Sequence, residues 1–246
     1  EISACLVGSE MCIRDSSKGV REFDLDVFLR EMKILLERGV RQFKFVDRTF
    51  NLKIENIRRI LDFFKTNWRD GLYLHFEIFP DRLSGEMLEE IRRFPDGGLH
   101  LEAGVQSFYQ PSLKAVSRRQ DEQKTLDNLR FIREQTGAEI HADLVAGLPY
   151  STYDTFSRDF DKLMAVRPQE LQLGILKRLR GAPIDRHSQV CAMVYSKYPP
   201  YEIMQNKDMS YAELQRIKRI ARYLDIFYNS GNFPHTVELL LGAQAS

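Results

Sequence analysis

The 246-residue sequence predicts an α/β domain in which helices cover a parallel β-sheet that forms an open or partial barrel. Two observations predict this fold class. First, short apolar strands alternate with helical segments of roughly 10 to 16 residues between residue 17 and about residue 180. Second, each strand alternates aliphatic and polar side chains, so one face suits covering helices and the other suits a polar interior.

The elements follow one another along residues 17–180. Helices are predicted from apolar residues at helical spacing and from a glycine, serine or threonine at an end. The predicted helices cover 23–39, 54–68, 84–94, 121–137 and 151–166, and the predicted strands cover 40–51, 72–80, 99–107, 138–149 and part of 168–179. Residues 181–246 predict a C-terminal extension with loops over 181–209 and one amphipathic helix over 209–233. No helix is completed after it, so we expect this end to be truncated.

The composition excludes several classes of function. The chain is 43% hydrophobic and 29% charged, and its 36 basic residues balance 35 acidic ones, so charge does not favour nucleic acid binding. No apolar run approaches the roughly 20 residues of a membrane helix. We therefore predict a cytoplasmic protein without nucleic acid or membrane partners.

Residues 1–16 are interpreted as a sequencing-adapter artefact. LVGSEMCIRDS (6–16) resembles the translation of a transposase adapter used in sequencing libraries, and this interpretation removes Cys5 and Cys12 from the functional argument. The alternative is a genuine N-terminal strand and loop. Cys191, the third cysteine, is predicted to be a free thiol in a loop.

The polar strand faces predict a ligand site. The interior of the barrel would hold a set of polar side chains: Glu77, Gln106, His141, Asp143 and Gln172. Because burying such groups without partners costs several kcal/mol each, an open barrel that admits a ligand or water is favoured. In parallel α/β folds the site lies at the carboxyl ends of the strands. We expect Asp47, Glu77, Gln106 and Asp143 to meet there.

Several motifs carry a family resemblance that covers residues 17–246. Glu77, GVQS (104–107), Arg118 twelve positions after Gln106, and DLVAGLP (143–149) together resemble radical S-adenosylmethionine enzymes. The resemblance is strongest to the coproporphyrinogen-dehydrogenase-like and cobalamin-binding-domain subsets. KGVREF, KFVDRTFN, LQLGILK and YPPYEIM resemble an uncharacterised subgroup of the latter. The resemblance implies a partial (β/α)6 TIM-like barrel over 17–180, with the first strand and cluster loop missing.

The resemblance also implies roles for individual residues. Glu77 and Asp143 would bind at or near the ribose of S-adenosylmethionine. Gln106 and Arg118 would contact the methionine carboxylate, for which the planar guanidinium is suited, although Arg119 competes with Arg118 for this role. Asp47 would replace the Gly-Gly-Glu strand end that receives the methionine amino group.

The family's reaction needs a [4Fe-4S] cluster held by CxxxCxxC, and this motif should lie just before KGVREF. The adapter-like residues occupy that place, and the spacing of Cys5 and Cys12 does not fit. We therefore predict a fragment that is inactive alone. Its parent would cleave S-adenosylmethionine reductively to a 5′-deoxyadenosyl radical that abstracts hydrogen from an unknown small molecule or peptide. The parent would receive electrons from flavodoxin or ferredoxin, and cobalamin is a further candidate cofactor.

Two other readings stay open. One is a non-catalytic barrel that binds a small ligand or partner. The other is a metal-dependent barrel hydrolase that uses His75, Glu77, His141 and Asp143. His75 and His141 each lie two residues before an acid on the inward face. We favour hydrogen bonding over a metal pair for them, and we assign no metal ligands in this chain. Glu102 could either contact the cofactor or make a structural hydrogen bond.

Overall fold

The computed structural model describes residues 24–45, 50–179 and 182–242. Its centre is a parallel five-stranded sheet in which the strands are hydrogen-bonded in chain order. The strands are β1 (Gln42–Lys44), β2 (Tyr73–Ile78), β3 (Leu99–Gln106), β4 (Glu139–Ala146) and β5 (Glu170–Ile175). The α/β class with a parallel sheet is thus confirmed, while the prediction of a missing first strand falls before the described residues.

Helices connect consecutive strands and cover the aliphatic face of the sheet. They are α1 (Leu25–Glu37), α2 (Ile54–Thr66), α3 (Gly85–Arg92), α4 (Gln110–Ala115), α5 (Glu122–Gln135) and α6 (Tyr153–Val166). Side-chain caps fix several helix starts: Asp24 accepts from backbone N–H groups at the start of α1, as do Ser84 for α3 and Asp121 for α5. The caps at Ser84 and Asp121 fix the starts of helices that follow β2 and β3 in the chain.

The predicted strand faces are confirmed by burial. The apolar residues on the aliphatic face of β2, β3 and β4 are at most 4% exposed, and Phe76, Ala103 and Ile140 are at 0%. Their removal from water drives the helices onto the sheet. The opposite face carries His75, Glu102 and other polar side chains, so the polar interior predicted from the alternation is present.

The C-terminal part holds three elements that the sequence did not predict. A two-stranded antiparallel sheet pairs β6 (Val194–Tyr195) with β7 (Ile203–Gln205). The predicted long helix begins at Tyr211 as α7 (Tyr211–Tyr223) and continues as a π-helix over Leu224–Asn229. Beyond it, α8 (Pro234–Gly242) forms where no finished helix was expected. Within the described residues, no helix combines the length and hydropathy needed to span a bilayer.

Candidate cofactor-binding site

Gln106, Arg118 and Asp143 form a buried polar cluster, here called the upper cluster. Gln106 ends β3, Arg118 follows α4, and Asp143 lies in β4. The three residues are 2%, 7% and 3% exposed, and Arg118 and Asp143 lie close enough to shift each other's pKa. Polar residues buried this deeply are unusual, and their environment indicates what they can bind.

The backbone brings Arg118 into the cluster. Arg118 Nη2 donates to the carbonyl of Gly104, and its Nε donates to Gln120 Oε1 at 3.1 Å. The guanidinium lies over the ring of Phe79, 4.9 Å from its centroid. Arg119 is exposed, so of the two arginines only Arg118 belongs to the upper cluster.

Burial shifts the pKa values of both Asp143 and Arg118, an acid and a base that lie near each other. Burial raises the pKa of Asp143 to about 7, against the opposing effect of Arg118, and the charge of Glu102 raises it further. Burial likewise lowers the pKa of Arg118 to about 10, which leaves the guanidinium charged at neutral pH. The Asp143 carboxyl therefore exchanges its proton near neutrality, and a ligand that donates hydrogen bonds to it would favour the charged form.

Several polar atoms of this region lack hydrogen-bond partners among the described residues. They are Gln106 Oε1, Arg118 Nη1, Gln120 Nε2 and Asp143 Oδ1, and all four are buried. Buried polar groups are almost always paired, so unpaired atoms at one place indicate a missing ligand or water. The set combines acceptors with cationic and amide donors, as a ligand with hydroxyl groups and a carboxylate requires. The residues present thus fit the S-adenosylmethionine implied by the resemblance.

A buried acid that the sequence reasoning missed fixes the turn after β3. Asp159 of α6 accepts from Ser107 Oγ at 2.6 Å and from the Phe108 N–H at 2.9 Å through the same oxygen. Gln106, directly before this turn, has a φ of 65°, and β3 shifts register against β4 between Gly104 and Gln106. The signal was available, since Asp159 lies three residues after Phe156 on the buried face of α6.

The C-terminal extension supports the Gly-Leu-Pro turn after β4. Asn206 Nδ2 donates to the carbonyls of Gly147 and Leu148 at 3.1 and 3.4 Å. Gly147 has a φ of 85°, and a Cβ there would lie 2.5 Å from Ile203 Cγ2. The turn therefore needs glycine for its conformation and for the close approach of β7.

The remaining predicted site residues are placed less simply. Glu77 is half-buried on the polar face of β2, but it lies opposite Glu102, whereas Asp143 lies opposite Gly104. Glu77 therefore lies two residues nearer the amino ends of the strands than Asp143 does. The expectation that Asp143 ends its strand is wrong, because it is the fifth of eight residues in β4. Asp47 lies outside the described residues.

A second polar group, here called the lower cluster, consists of His75, His100 and His141 with Glu102, Glu139 and Glu170. Each histidine contacts a glutamate of the next strand: His75 and Glu102 at 3.0 Å, His100 and Glu139 at 3.4 Å, and His141 and Glu170 at 3.4 Å. His75 and His141 thus contact acids, as the predicted hydrogen bonding requires, and the acids belong to the neighbouring strands. Burial, followed by the neighbouring His75, lowers the pKa of His100. The pKa of Glu102 is lowered, chiefly by its hydrogen bond to His75.

An iron–sulfur cluster does not fit the residues present. The sequence has three cysteines and no CxxxCxxC. Cys5 and Cys12 lie outside the described residues, and Cys191 is a buried free thiol, as its loop position predicted. Three correctly spaced thiolates are needed to leave one iron open for the cofactor. No chemistry through a cluster is therefore assigned to these residues.

Comparison with known families gives two matches that together cover nearly the whole chain. The family described as "Radical SAM superfamily" matches residues 2–191, where SAM stands for S-adenosylmethionine. The family described as "Protein of unknown function (DUF4080)" matches residues 191–246. The boundary falls at Cys191, before the β6–β7 sheet that holds the Gly147 turn.

Two curated proteins are similar over part of their length. The ribosomal protein uS12 methylthiotransferase RimO of Porphyromonas gingivalis is 26% identical over 155 residues, which are 58% of this chain and 34% of that protein. The oxygen-independent coproporphyrinogen III oxidase of Pseudomonas aeruginosa is 36% identical over 70 residues, or 28% of this chain and 15% of the oxidase. The chain thus spans about a third or less of the curated relatives it matches.

Two solved structures share the fold at low identity. The radical S-adenosylmethionine methyltransferase TsrM of Kitasatospora setae aligns with a TM-score of 0.65 at 18% identity, over 78% of this chain and 40% of TsrM. The coproporphyrinogen III oxidase HemN of Escherichia coli aligns with a TM-score of 0.61 at 18% identity, over 88% of this chain and 49% of HemN. Because the superfamily match covers residues 2–191, more than half of the sequence, the chain belongs to the radical S-adenosylmethionine superfamily of enzymes.

Proposed function

We propose that this chain is the cofactor-binding part of a radical S-adenosylmethionine enzyme and that the upper cluster holds the cofactor. The observation that carries the proposal is the set of buried unpaired atoms on Gln106, Arg118 and Asp143. S-adenosylmethionine offers ribose hydroxyl donors, an α-carboxylate and a positive sulfonium, which complement a carboxylate, a guanidinium and an amide.

The residues divide this work by charge. Arg118, fixed by Gly104 and Gln120, presents its remaining Nη1 to the carboxylate of the methionine moiety. Asp143 accepts from the ribose side and loses its proton on binding, since donors and nearby positive charge favour the carboxylate. Gln106 contributes its amide on the Arg118 side. Glu77 and Asp47 stay predicted contacts of the cofactor.

For the whole protein we propose the reaction implied by its family: reductive cleavage of S-adenosylmethionine and abstraction of hydrogen from a substrate. Family membership supports the chemistry in general, and the substrate is undetermined. Cobalamin stays a candidate: a TsrM structure is described with cobalamin and a [4Fe-4S] cluster bound, and its 18% identity supports a shared fold only. A reduced flavodoxin or ferredoxin is the proposed electron donor.

A second candidate function is binding without cleavage, which the upper cluster could perform without any cysteine. Cleavage would in addition need the three cluster thiolates of a CxxxCxxC motif. Anaerobic iron–sulfur reconstitution of a version that carries the upstream sequence, followed by a 5′-deoxyadenosine assay with reductant, separates the two. Formation of 5′-deoxyadenosine supports the enzyme, and a formed cluster without cleavage supports binding alone.

The binding proposal is tested by titrating S-adenosylmethionine into the chain in a calorimeter. Asp143→Asn keeps the side chain's size but removes its charge, and we expect binding to weaken by about tenfold to a hundredfold, because hydrogen bonds to charged groups contribute about 1.5–3 kcal/mol. Asp127→Asn is the matched control, since Asp127 is exposed on α5. Equal affinities for the two variants, or no binding by the unaltered chain, would contradict the proposal.

A further inference from the structure

The lower cluster places three imidazoles side by side on adjacent strands. The rings of His75 and His100 stack with centroids 5.0 Å apart, and the rings of His100 and His141 meet edge to face at 5.9 Å. The sheet register produces this arrangement, because His75 lies opposite His100, and His141 lies opposite Glu102 and Glu170. The cluster therefore depends on rigid strands, which hold ligand atoms more accurately than loops.

Three of these residues could share one ion. His100, His141 and Glu170 each offer one ligand atom, and these atoms lie within 4.8 Å of one another. In a tetrahedral shell with metal–ligand bonds of about 2.0–2.1 Å, neighbouring ligand atoms are about 3.4 Å apart. Side-chain rotations that move the ligand atoms by about an ångström would bring them to this separation. The Glu170 side chain is 41% exposed and has the room to make them.

The surroundings favour a cation. Glu139 lies 3.4 Å from His100 Nδ1, the arrangement by which a carboxylate orients a metal-binding imidazole. His141 Nδ1 lies 3.4 Å from Glu170 Oε2, the separation expected of two ligand atoms on one tetrahedral ion. Its buried Nε2 has no hydrogen-bond partner among the described residues, so either ring nitrogen is open to an ion. Both histidine side chains are partly exposed, at 12% and 15%, which gives an ion a path from solvent.

We propose that His100, His141 and Glu170 form a site for a divalent transition metal such as Zn²⁺, distinct from the upper cluster. Two imidazoles and one carboxylate are a ligand set that Zn²⁺ uses with water in the fourth position. The bound ion would link β3, β4 and β5. This ligand set differs from the hydrolase set expected from the sequence, because Glu77 and Asp143 do not belong to the group.

The test is zinc titration of the metal-free chain with Cys5→Ser and Cys12→Ser, so that thiolates cannot contribute. We expect one equivalent to bind and Co²⁺ at the same site to give the visible absorption of a tetrahedral ion. His100→Ala and His141→Ala should each weaken Zn²⁺ binding by at least tenfold. His235→Ala, which removes an exposed histidine of α8, should leave binding unchanged.

Circular dichroism separates loss of a ligand from loss of the fold. If an alanine variant does not fold, His141→Gln and the more exposed Glu170→Gln replace it, and each should still lose tenfold or more in affinity. The proposal is overturned if the unaltered site takes up no zinc, or if folded variants at His100, His141 and Glu170 bind zinc as His235→Ala does.

Discussion

The upper and lower clusters occupy the same face of one sheet, yet only the lower cluster places each of its histidines against an acid of the next strand. In the upper cluster, Asp143 and Arg118 retain unpaired buried atoms, and burial dominates the electrostatics of both. In the lower cluster, His75 and Glu102 pair directly across neighbouring strands, and the pKa of Glu102 is lowered. A polar strand face can thus be stabilised by pairing its side chains across neighbouring strands, or it can keep polar atoms available for a ligand.

The largest expected difference concerns pH. The Asp143 carboxyl ionises at about pH 4 in the unfolded chain but holds its proton to about pH 7 in the folded one. Between these values the folded state binds more protons, so its stability falls as pH rises. From pH 5 to pH 8 this should cost about 3 kcal/mol in the unaltered chain and nothing at this site in Asp143→Asn.

Guanidinium unfolding at pH 5 and pH 8 measures this effect. The unfolding free energy of Asp143→Asn minus that of the unaltered chain should increase with pH. Taking this difference cancels the contributions of the other titrating groups, which both chains share. A difference that does not change with pH would show that Asp143 is not buried in the manner described.

Arg118 gives the next largest expected effect. Arg118→Ala removes the donors to Gly104 and Gln120 and the positive charge beside Asp143, so we expect a loss of about 3 kcal/mol in unfolding free energy. Arg119→Ala, one residue away and exposed, should cost under about 0.5 kcal/mol. Urea unfolding of both variants checks the contrast, and similar costs would argue against a buried role for Arg118.

Gly147 tests whether the C-terminal extension shapes the upper cluster. Gly147→Ala brings a Cβ to 2.5 Å from Ile203 at a φ of 85°, so we expect a cost of about 2–3 kcal/mol. Gly231→Ala is the matched control, since its φ is 66° and nothing lies within 4 Å of the added Cβ. The control should cost about 1 kcal/mol from backbone strain alone. Thermal melts of both should differ, and equal shifts would remove the steric argument.

The smallest expected effect lies in the lower cluster and has the opposite sign to that of Asp143. Because the folded-state pKa of Glu102 is lowered, its contribution is present above the unfolded value and is lost as pH falls through the folded value. Glu102→Gln should therefore cost about 1 kcal/mol at pH 7 and progressively less in acid. Urea unfolding at pH 7 and pH 3 measures it, and a cost that increases in acid would contradict the pairing.

Local patterns in the sequence predicted the sheet and much of the upper cluster. Alternation along β2 to β4 identified the buried and polar faces, and the resemblance selected Gln106, Arg118 and Asp143. What could not be predicted depends on contacts between distant segments. Asp159 reaches the turn after β3 from 52 residues away, and Asn206 reaches Gly147 from 59 residues away. The pairing of the histidines likewise depends on strand register, which no single strand encodes.

The role of Asp143 in binding is tested by titrating its carboxyl by ¹³C NMR with and without S-adenosylmethionine, and the Asp143→Asn variant identifies its signal. Without the cofactor we expect the Asp143 carboxyl to titrate with a pKa of about 7. With the cofactor, hydroxyl donors and positive charge should lower it by a unit or more. An Asp143 titration that S-adenosylmethionine leaves unchanged would contradict the account.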